Sequence, residues 1–237
     1  MIPKKIHYCW FGKNPLPRSV KKCIASWRKF CPDYQIIEWN ESNFDVNSHP
    51  FIKSAYDNKA WAFVSDYARL KIVYDNGGIY FDTDVELLKN IDHLLENNFY
   101  IGVQQSGLLC TTGLGFGAER ENDYVCSMLK KYDELVYTEA GKREIACPRL
   151  NMKVFEEAGY KFIDEALNFK GALILPPRYL DPIAPGNSKN LLCEDTISIH
   201  HYTASWRPKL ERYKRKIILL IGQERINRIK KYIKNDI

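Results

Sequence analysis

The run Ser65-Asp66-Tyr67-Ala68-Arg69, followed after six residues by Asn76-Gly77-Gly78-Ile79-Tyr80-Phe81-Asp82-Thr83-Asp84, decides how this chain is read. Trp61 to Tyr74 carries Phe63, Tyr67, Leu70 and Tyr74 on one helical face, and Asn76-Gly77-Gly78 stops that helix as a C-terminal cap does. Ile79-Tyr80-Phe81 is then a short apolar strand that delivers two carboxylates, Asp82 and Asp84, at its end. Carboxylates so placed can jointly hold a hard cation such as Mn²⁺ or Mg²⁺, which takes oxygen ligands and can bridge phosphate oxygens. An Asp-x-Asp alone is a chance-level motif, about one per chain of this size. The apolar strand before it gives this one weight, because a sheet presents its ligands at strand ends.

Working outward, Lys4 to Trp10 reads as a strand running into the loop Phe11-Gly12-Lys13-Asn14-Pro15. Pro17 to Phe30 has Val20, Ile24 and Trp27 at helical spacing, and Tyr34 to Trp39 is a second strand, so the chain opens β-α-β. Further strands are expected at Phe99 to Gln104, Thr112 to Ala118, Ala172 to Leu175 and Thr196 to Tyr202, with helices at Asp123 to Val136 and Pro148 to Ala158 and a helical tail after them. This alternation predicts an α/β fold with a mainly parallel central sheet flanked by helices. Its ligand crevice should lie beyond the carboxyl ends of the strands.

With 237 residues, 45% of them hydrophobic, the chain can fill one core of ordinary size. One globular unit is expected, residues 1–206 forming the domain and 207–237 a basic amphipathic helical tail belonging to it. The formal net charge of +6 sits in that tail, where eleven Lys or Arg face three acidic residues. Ile217, Ile218, Leu219, Leu220, Ile221, Ile226, Ile229 and Ile233 are interleaved with those charges, a pattern that suits an anionic membrane surface. The competing reading is a helical hairpin packed on the domain with solvated lysines. Nucleic acid is not an expected partner, since no stacking platform or binding motif accompanies the charge. The seven cysteines contain no Cys-x-x-Cys pair and read as reduced, mostly buried residues. No stretch suggests a signal peptide or a membrane span, so a cytoplasmic protein is expected, peripheral on the inner face of the plasma membrane if the tail binds there.

Asp66 and Arg69, three apart, share a helix face. The ordinary reading is a surface ion pair contributing a few tenths of a kcal/mol. The functional reading is a binding pair, with a carboxylate accepting from ligand hydroxyls and a guanidinium bridging a hydroxyl and a phosphate oxygen. His200 and His201 are neighbours on a predicted strand, so at most one of them normally faces the crevice.

Three separated segments now combine. Ile6-His7-Tyr8-Cys9-Trp10-Phe11-Gly12, the block from Ala62 to Asp84, and His200-His201-Tyr202-Thr203-Ala204-Ser205-Trp206 together resemble the glycosyltransferase family 32 "DXD sugar-binding" proteins. That family includes bacterial capsular-polysaccharide transferases and the yeast initiating mannosyltransferase, and its block is similar to that of the glucosylating clostridial toxins. The likeness spans the chain up to Trp206. It implies a GT-A type nucleotide-sugar-binding domain followed by C-terminal helices, Mn²⁺ or Mg²⁺ as cofactor, a nucleoside diphosphate sugar as donor and a saccharide as acceptor. A UDP-hexose is the first expectation for the donor and GDP-mannose the second. A lipid-linked acceptor, retention of anomeric configuration and a place in surface or capsular polysaccharide synthesis are implied as well.

The resemblance also implies residue roles. Trp10 would stack on the donor's base, with Cys9 and Ser65 among the donor-binding residues, while Asp66 and Arg69 would read the sugar and Tyr80 would line the pocket. Asp82 and Asp84 match the metal-binding pair, Asp84 as direct ligand and Asp82 partly through water or the ribose. His201, five residues before Trp206, matches a further metal ligand, and Trp206 with Ser205 would contact the diphosphate. Asp66, Arg69, Asp82, Asp84 and Trp206 form the implied catalytic set. The glycine-rich Thr111 to Gly117 segment has no side chain that can be matched, and it lacks the βαβ fingerprint of a dinucleotide loop.

Two rival readings stand beside this one. A haloacid-dehalogenase-like phosphatase also places Asp-x-Asp after an apolar strand, but there the pair normally opens the domain and a further acidic pair follows. A non-catalytic carbohydrate-binding or membrane-adaptor protein would explain the aromatics and the tail, yet would not need the metal pair.

Overall fold

The computed structural model describes residues 1–185 and 189–203. Strand β1 (Lys5–Cys9) leads through helix α1 (Arg18–Phe30) to β2 (Gln35–Trp39), and helices α2 (Pro50–Asp57) and α3 (Trp61–Asn76) lead to β3 (Gly78–Tyr80). There follow β4 (Val85–Leu87), β5 (Phe99–Val103), β6 (Cys110–Ala118), α4 (Asp123–Lys130) and α5 (Cys147–Glu157). The described chain closes with β7 (Leu167–Phe169), β8 (Ala172–Leu175), the short helix α6 (Pro177–Leu180) and β9 (Ser198–His200).

Seven strands form the main sheet in the order β2-β1-β3-β6-β5-β8-β7. β2, β1, β3, β5 and β8 run one way, and β6 and β7 run against them, so the expected mainly parallel direction holds with two reversed strands inserted. The chain passes from β1 outward to β2 and returns to β3 on the other side of β1. This is a topological switch point, where an open α/β sheet leaves its binding crevice.

Alternation along the strands builds two cores. Phe99, Ile101 and Val103 of β5 join α2, α3, α4 and α5 on one face, while Tyr100 joins Ile6, Tyr8 and the α1 residues Val20, Cys23, Ile24 and Trp27 on the other. The α1 set follows helical spacing, and the Trp27 indole N–H donates to the Val85 carbonyl at 2.8 Å, tying α1 to β4. α4 ends earlier than its periodicity predicts, at Lys130. The turns beyond it put the Tyr132 ring edge-on against Phe51 and Tyr67 in the core. Helix α2 is a further difference: it is short, starts with Pro50 and is capped by the His49 ring, which accepts from the Phe51 N–H.

Two glycines set the turn from α3 into β3. Gly77 (φ 62°) ends the helix, and at Gly78 (φ 107°) a Cβ would lie 2.9 Å from both His7 Nε2 and the Lys5 carbonyl oxygen. His7 is wholly buried; its Nε2 lies 2.9 Å from the Gly77 carbonyl and its Nδ1 accepts from the Trp39 indole at 3.1 Å. An indole can only donate, so Nδ1 must carry the lone pair and Nε2 the proton. This neutral imidazole joins β1, β2 and the α3 cap.

The predicted strand at Thr196 to Tyr202 does not enter the main sheet. Its core, β9, pairs antiparallel with β4, with Val85 opposite His200 and Leu87 opposite Ser198. That small second sheet brings His200 to the acidic pair. Among the described residues no helix is long and apolar enough to cross a membrane. Residues 207–237, assigned above to a basic helical tail, lie outside the described residues, as do Ser205 and Trp206.

Candidate active site

The acidic segment leaves the end of β3 at the switch point, with α3 beside it. Arg69 is only 4% exposed, and its Nη2 lies 2.8 Å from Asp66 Oδ1 and 3.1 Å from Asp82 Oδ1. The Asp66–Arg69 pair is therefore neither a surface ornament nor isolated: the guanidinium joins the α3 carboxylate to the first carboxylate of the motif. Tyr80 supports it from below, with Arg69 Cζ 4.9 Å from its ring centre and its hydroxyl donating to Asp82 Oδ1 at 3.1 Å. Arg69 Nε–H donates to the Ser65 carbonyl at 3.1 Å, which fixes the fork's direction.

Asp84 is bound differently. Its Oδ1 meets His200 Nε2 at 2.9 Å, and its Oδ2 accepts from the Thr203 N–H at 2.7 Å and the Thr203 hydroxyl at 3.2 Å. Asp82, Asp84 and His200 each offer a donor atom, and these atoms all lie within 4.8 Å of one another.

The electrostatics follow from burial and partners. Burial pushes the Asp66 carboxyl up to about 6 against the opposing pull of Arg69. Asp82 is raised for the same reason, again offset in part by Arg69. Burial works against Asp84 too, yet the His200 charge and the three hydrogen bonds outweigh it and hold this carboxyl well below the usual range. His200 is the reverse: burial lowers it, but Asp84 and its other acidic neighbours raise it overall.

Asp66, Arg69, Asp82 and His200 line a cleft of about 190 Å³ together with Gln104, Thr111, Gly113 and Leu114 and with Cys147 and Tyr202 among others, while Asp84 lies behind His200 and is not among the lining residues. The glycine-rich strand β6 acts here through the absence of a side chain. A Cβ on Gly113 would lie 2.9 Å from Asp82 Oδ2 and 3.2 Å from Arg69 Nη1, so the glycine leaves room for the ion pair. Beside it the Thr112 hydroxyl reaches Asn151 Oδ1 and Cys147 Sγ, both at 3.1 Å, and the backbone of Cys147 at the start of α5 adds a small pull on the Asp66 carboxyl against the effect of burial. Sequence reading left Thr111, Thr112, Cys147, Asn151 and Tyr202 unassigned. Thr111 and Thr112 lie in the glycine-rich segment and Tyr202 in the late His200 to Trp206 motif, but none of the five has a role that the sequence assigns.

The placement of the expected residues divides them. Asp66, Arg69, Tyr80, Asp82 and Asp84 come together. The choice between the adjacent histidines is corrected: His200 faces Asp84, whereas His201 Nε2 lies 2.7 Å from Glu86 and its side chain is 39% exposed. Val85 opposite His200 in the β4–β9 register sets this alternation. Ser65 turns its hydroxyl back to the Trp61 carbonyl at 3.0 Å, and Cys9 is buried under the site. Trp10, at the end of β1, donates its indole N–H to the Asn14 carbonyl at 2.6 Å and is not among the described residues lining the cleft.

Comparison with known proteins matches residues 17–100 to the glycosyltransferase sugar-binding region containing a DXD motif. This chain is a glycosyltransferase, and the matched region holds the middle one of its three motifs, the block from Ala62 to Asp84. An uncharacterised glycosyltransferase of Acanthamoeba polyphaga mimivirus is 27% identical over 220 residues, covering 89% of this chain and 86% of that one. Inositol phosphoceramide mannosyltransferase 3 of Schizosaccharomyces pombe is 32% identical over 98 residues, 40% of this chain and 27% of the yeast protein. The chain thus spans about a quarter of the length of that relative. Among solved structures, the PaToxG glycosyltransferase superposes with a TM-score of 0.52 at 16% identity, over 66% of this chain and 70% of that one, which supports the GT-A fold class.

Proposed function

We propose that this glycosyltransferase moves a hexosyl group from a nucleoside diphosphate sugar to a saccharide hydroxyl, with a divalent cation, Mn²⁺ or Mg²⁺, held by Asp82, Asp84 and His200. The observation that carries the reading is the convergence of those three donor groups beside Arg69. Two carboxylates and an imidazole suit Mn²⁺ or Mg²⁺ better than a thiolate-seeking ion. Charge supports the same view. Asp66, Asp82 and Asp84 outnumber Arg69 and His200, so the cleft is negative and would by itself repel a diphosphate. When bound, the cation supplies positive charge to the departing diphosphate.

The chain's own residues do the rest. Arg69, held by Asp66 and Asp82, presents its fork where charge develops on the leaving group, and it needs no reorganisation because both carboxylates and Tyr80 fix it. Asp66 offers a carboxylate to sugar hydroxyls from α3. Retention with attack on the same face as departure is part of this proposal, the leaving phosphate taking the acceptor's proton. Trapping of a covalent glycosyl-enzyme would overturn that part.

A UDP-hexose is the first donor proposed, and the mannosyltransferase relative favours GDP-mannose as the second. A thermal-shift screen of UDP-galactose, UDP-glucose, UDP-N-acetyl sugars and GDP-mannose, each with and without Mn²⁺, tests the reading. Stabilisation by one donor in the presence of Mn²⁺ is expected, and indifference to all of them would refute it. Action on surface or capsular polysaccharide and a lipid-linked acceptor are proposed on the family resemblance, and a peripheral position on the cytoplasmic face on the basic, apolar 207–237 sequence. Sedimentation with anionic vesicles, with and without residues after Trp206, tests the last of these. Equal binding by the truncated chain would count against the membrane role.

A further inference from the structure

Asp181 is a carboxylate that the site described so far does not use. It follows α6, is wholly buried, and lies where the segment after β5 meets the end of β9. Its Oδ2 accepts the Gln105 N–H at 2.7 Å and the Tyr202 hydroxyl at 2.8 Å, while Oδ1 has no partner among the described residues. No lysine or arginine pairs with it among those residues; the charged group that acts on it is His200. A buried carboxylate held by two hydrogen bonds and no cation is costly, and an apolar residue would fill the place at less expense.

What the carboxylate secures is Tyr202. That residue has a positive φ of 49°, a conformation that tyrosine rarely adopts and that needs outside support. Its ring centre lies 4.1 Å from that of His200, and both side chains line the cleft. His200 directs Nε2 at Asp84, while its Nδ1 has no hydrogen-bond partner among the described residues that could orient the ring. Apart from its contact with Asp84 the imidazole is oriented by packing, and a packing surface is the tyrosine that Asp181 holds.

We infer that Asp181 is a positioning residue: through Tyr202 it fixes the His200 ring toward Asp82 and Asp84 and so sets the affinity of this cluster for a divalent cation. The inference rests on the proposed metal role of His200, and its test separates the two. The test compares the parental chain with Asp181→Asn and Tyr202→Phe. Asp181→Asn retains shape, and Tyr202→Phe removes one hydroxyl while leaving Asp181 in place.

Two quantities are measured on each protein. The first is Mn²⁺ affinity, from the free Mn²⁺ signal in electron paramagnetic resonance. The second is the His200 ring spectrum of metal-free protein carrying labelled histidine. Both variants should bind Mn²⁺ about tenfold more weakly, and the metal-free His200 resonances should shift and broaden while those of His7 stay fixed. If the parental chain bound no Mn²⁺ but the His200 signals still moved, the positioning would stand and the metal reading would fall. Unchanged His200 signals in both variants would overturn the inference, as would Mn²⁺ affinities within twofold of the parental value in a parental chain that binds the ion.

Discussion

Arg69 on α3 and Asp82 beyond β3 lie 3.1 Å apart in a part of the molecule where the arginine is almost wholly buried. The same guanidinium nitrogen holds Asp66 at 2.8 Å, so one cation serves two carboxylates. Removing it exposes the energetic consequence of that sharing.

Arg69→Met should leave Asp66 and Asp82 buried without a counter-charge, at a cost of about 3–5 kcal/mol. Protonation would relieve that cost, so the variant should gain stability relative to the parental chain as the pH is lowered from 7 to 5. Urea denaturation at the two pH values checks this. Activity should fall by at least about a hundredfold, on the scale of losing a donor to developing charge, and Arg69→Lys should restore little of it because a lysine has neither the Nε–H that anchors Arg69 to the Ser65 carbonyl nor a planar face to lie over Tyr80.

At Gly113 the backbone would accept alanine, but the new methyl would meet Asp82 Oδ2 at 2.9 Å. Gly113→Ala should therefore keep its circular dichroism spectrum while kcat/KM falls by more than about tenfold, equivalent to about 1.4 kcal/mol in the barrier. A variant of normal activity would show that the ion pair need not hold its position.

The two histidines at the end of β9 should behave oppositely. His200→Ala should abolish stabilisation by Mn²⁺ with a nucleoside diphosphate, whereas His201→Ala should lose only an exposed contact with Glu86, for which surface pairs contribute about 0–1 kcal/mol. Thermal shift with and without the cation reads both. Loss of the metal response in His201→Ala alone would return the ligand to that residue.

His7 makes an acid-sensitive joint. Burial lowers it from its ordinary 6.5 to about 4, and the Trp39 indole leaves no room for a proton on Nδ1. The folded state thus binds fewer protons than the unfolded one between those values, and its contribution is present above pH 6.5 and lost as the pH falls to about 4. The full loss is about 3 kcal/mol. Asp66, raised to about 6, acts in the opposite sense, so the measurement is the difference between the parental and His7→Gln stability curves. That difference should narrow across this window on acidification, and parallel curves would contradict it.

What the sequence made legible was local. The helix from Trp61, its glycine stop and the apolar strand into Asp82 could be read from periodicity and caps, because each depends on neighbours within a turn or two. The reversed strand β6 could be seen as glycine-rich, but its purpose could not: the absent Gly113 side chain matters only against Asp82 and Arg69, which are distant in sequence. His200 was exchanged for His201 because alternation permits one of two neighbours, and only the β4–β9 register selects it. Asp181 and Cys147 carried no local signal at all, since their roles arise where Tyr202 and Asp66 fold against them.

The most direct test of the central claim is release of nucleoside diphosphate from the donor that stabilises the protein, measured with Mn²⁺, with chelator, and in Asp84→Asn. Release that requires Mn²⁺, falls at least about a hundredfold in the variant and rises with a saccharide acceptor is the predicted result. Equal turnover by Asp84→Asn, or release of inorganic phosphate from a simple phosphoester without any action on the sugar donors, would contradict it.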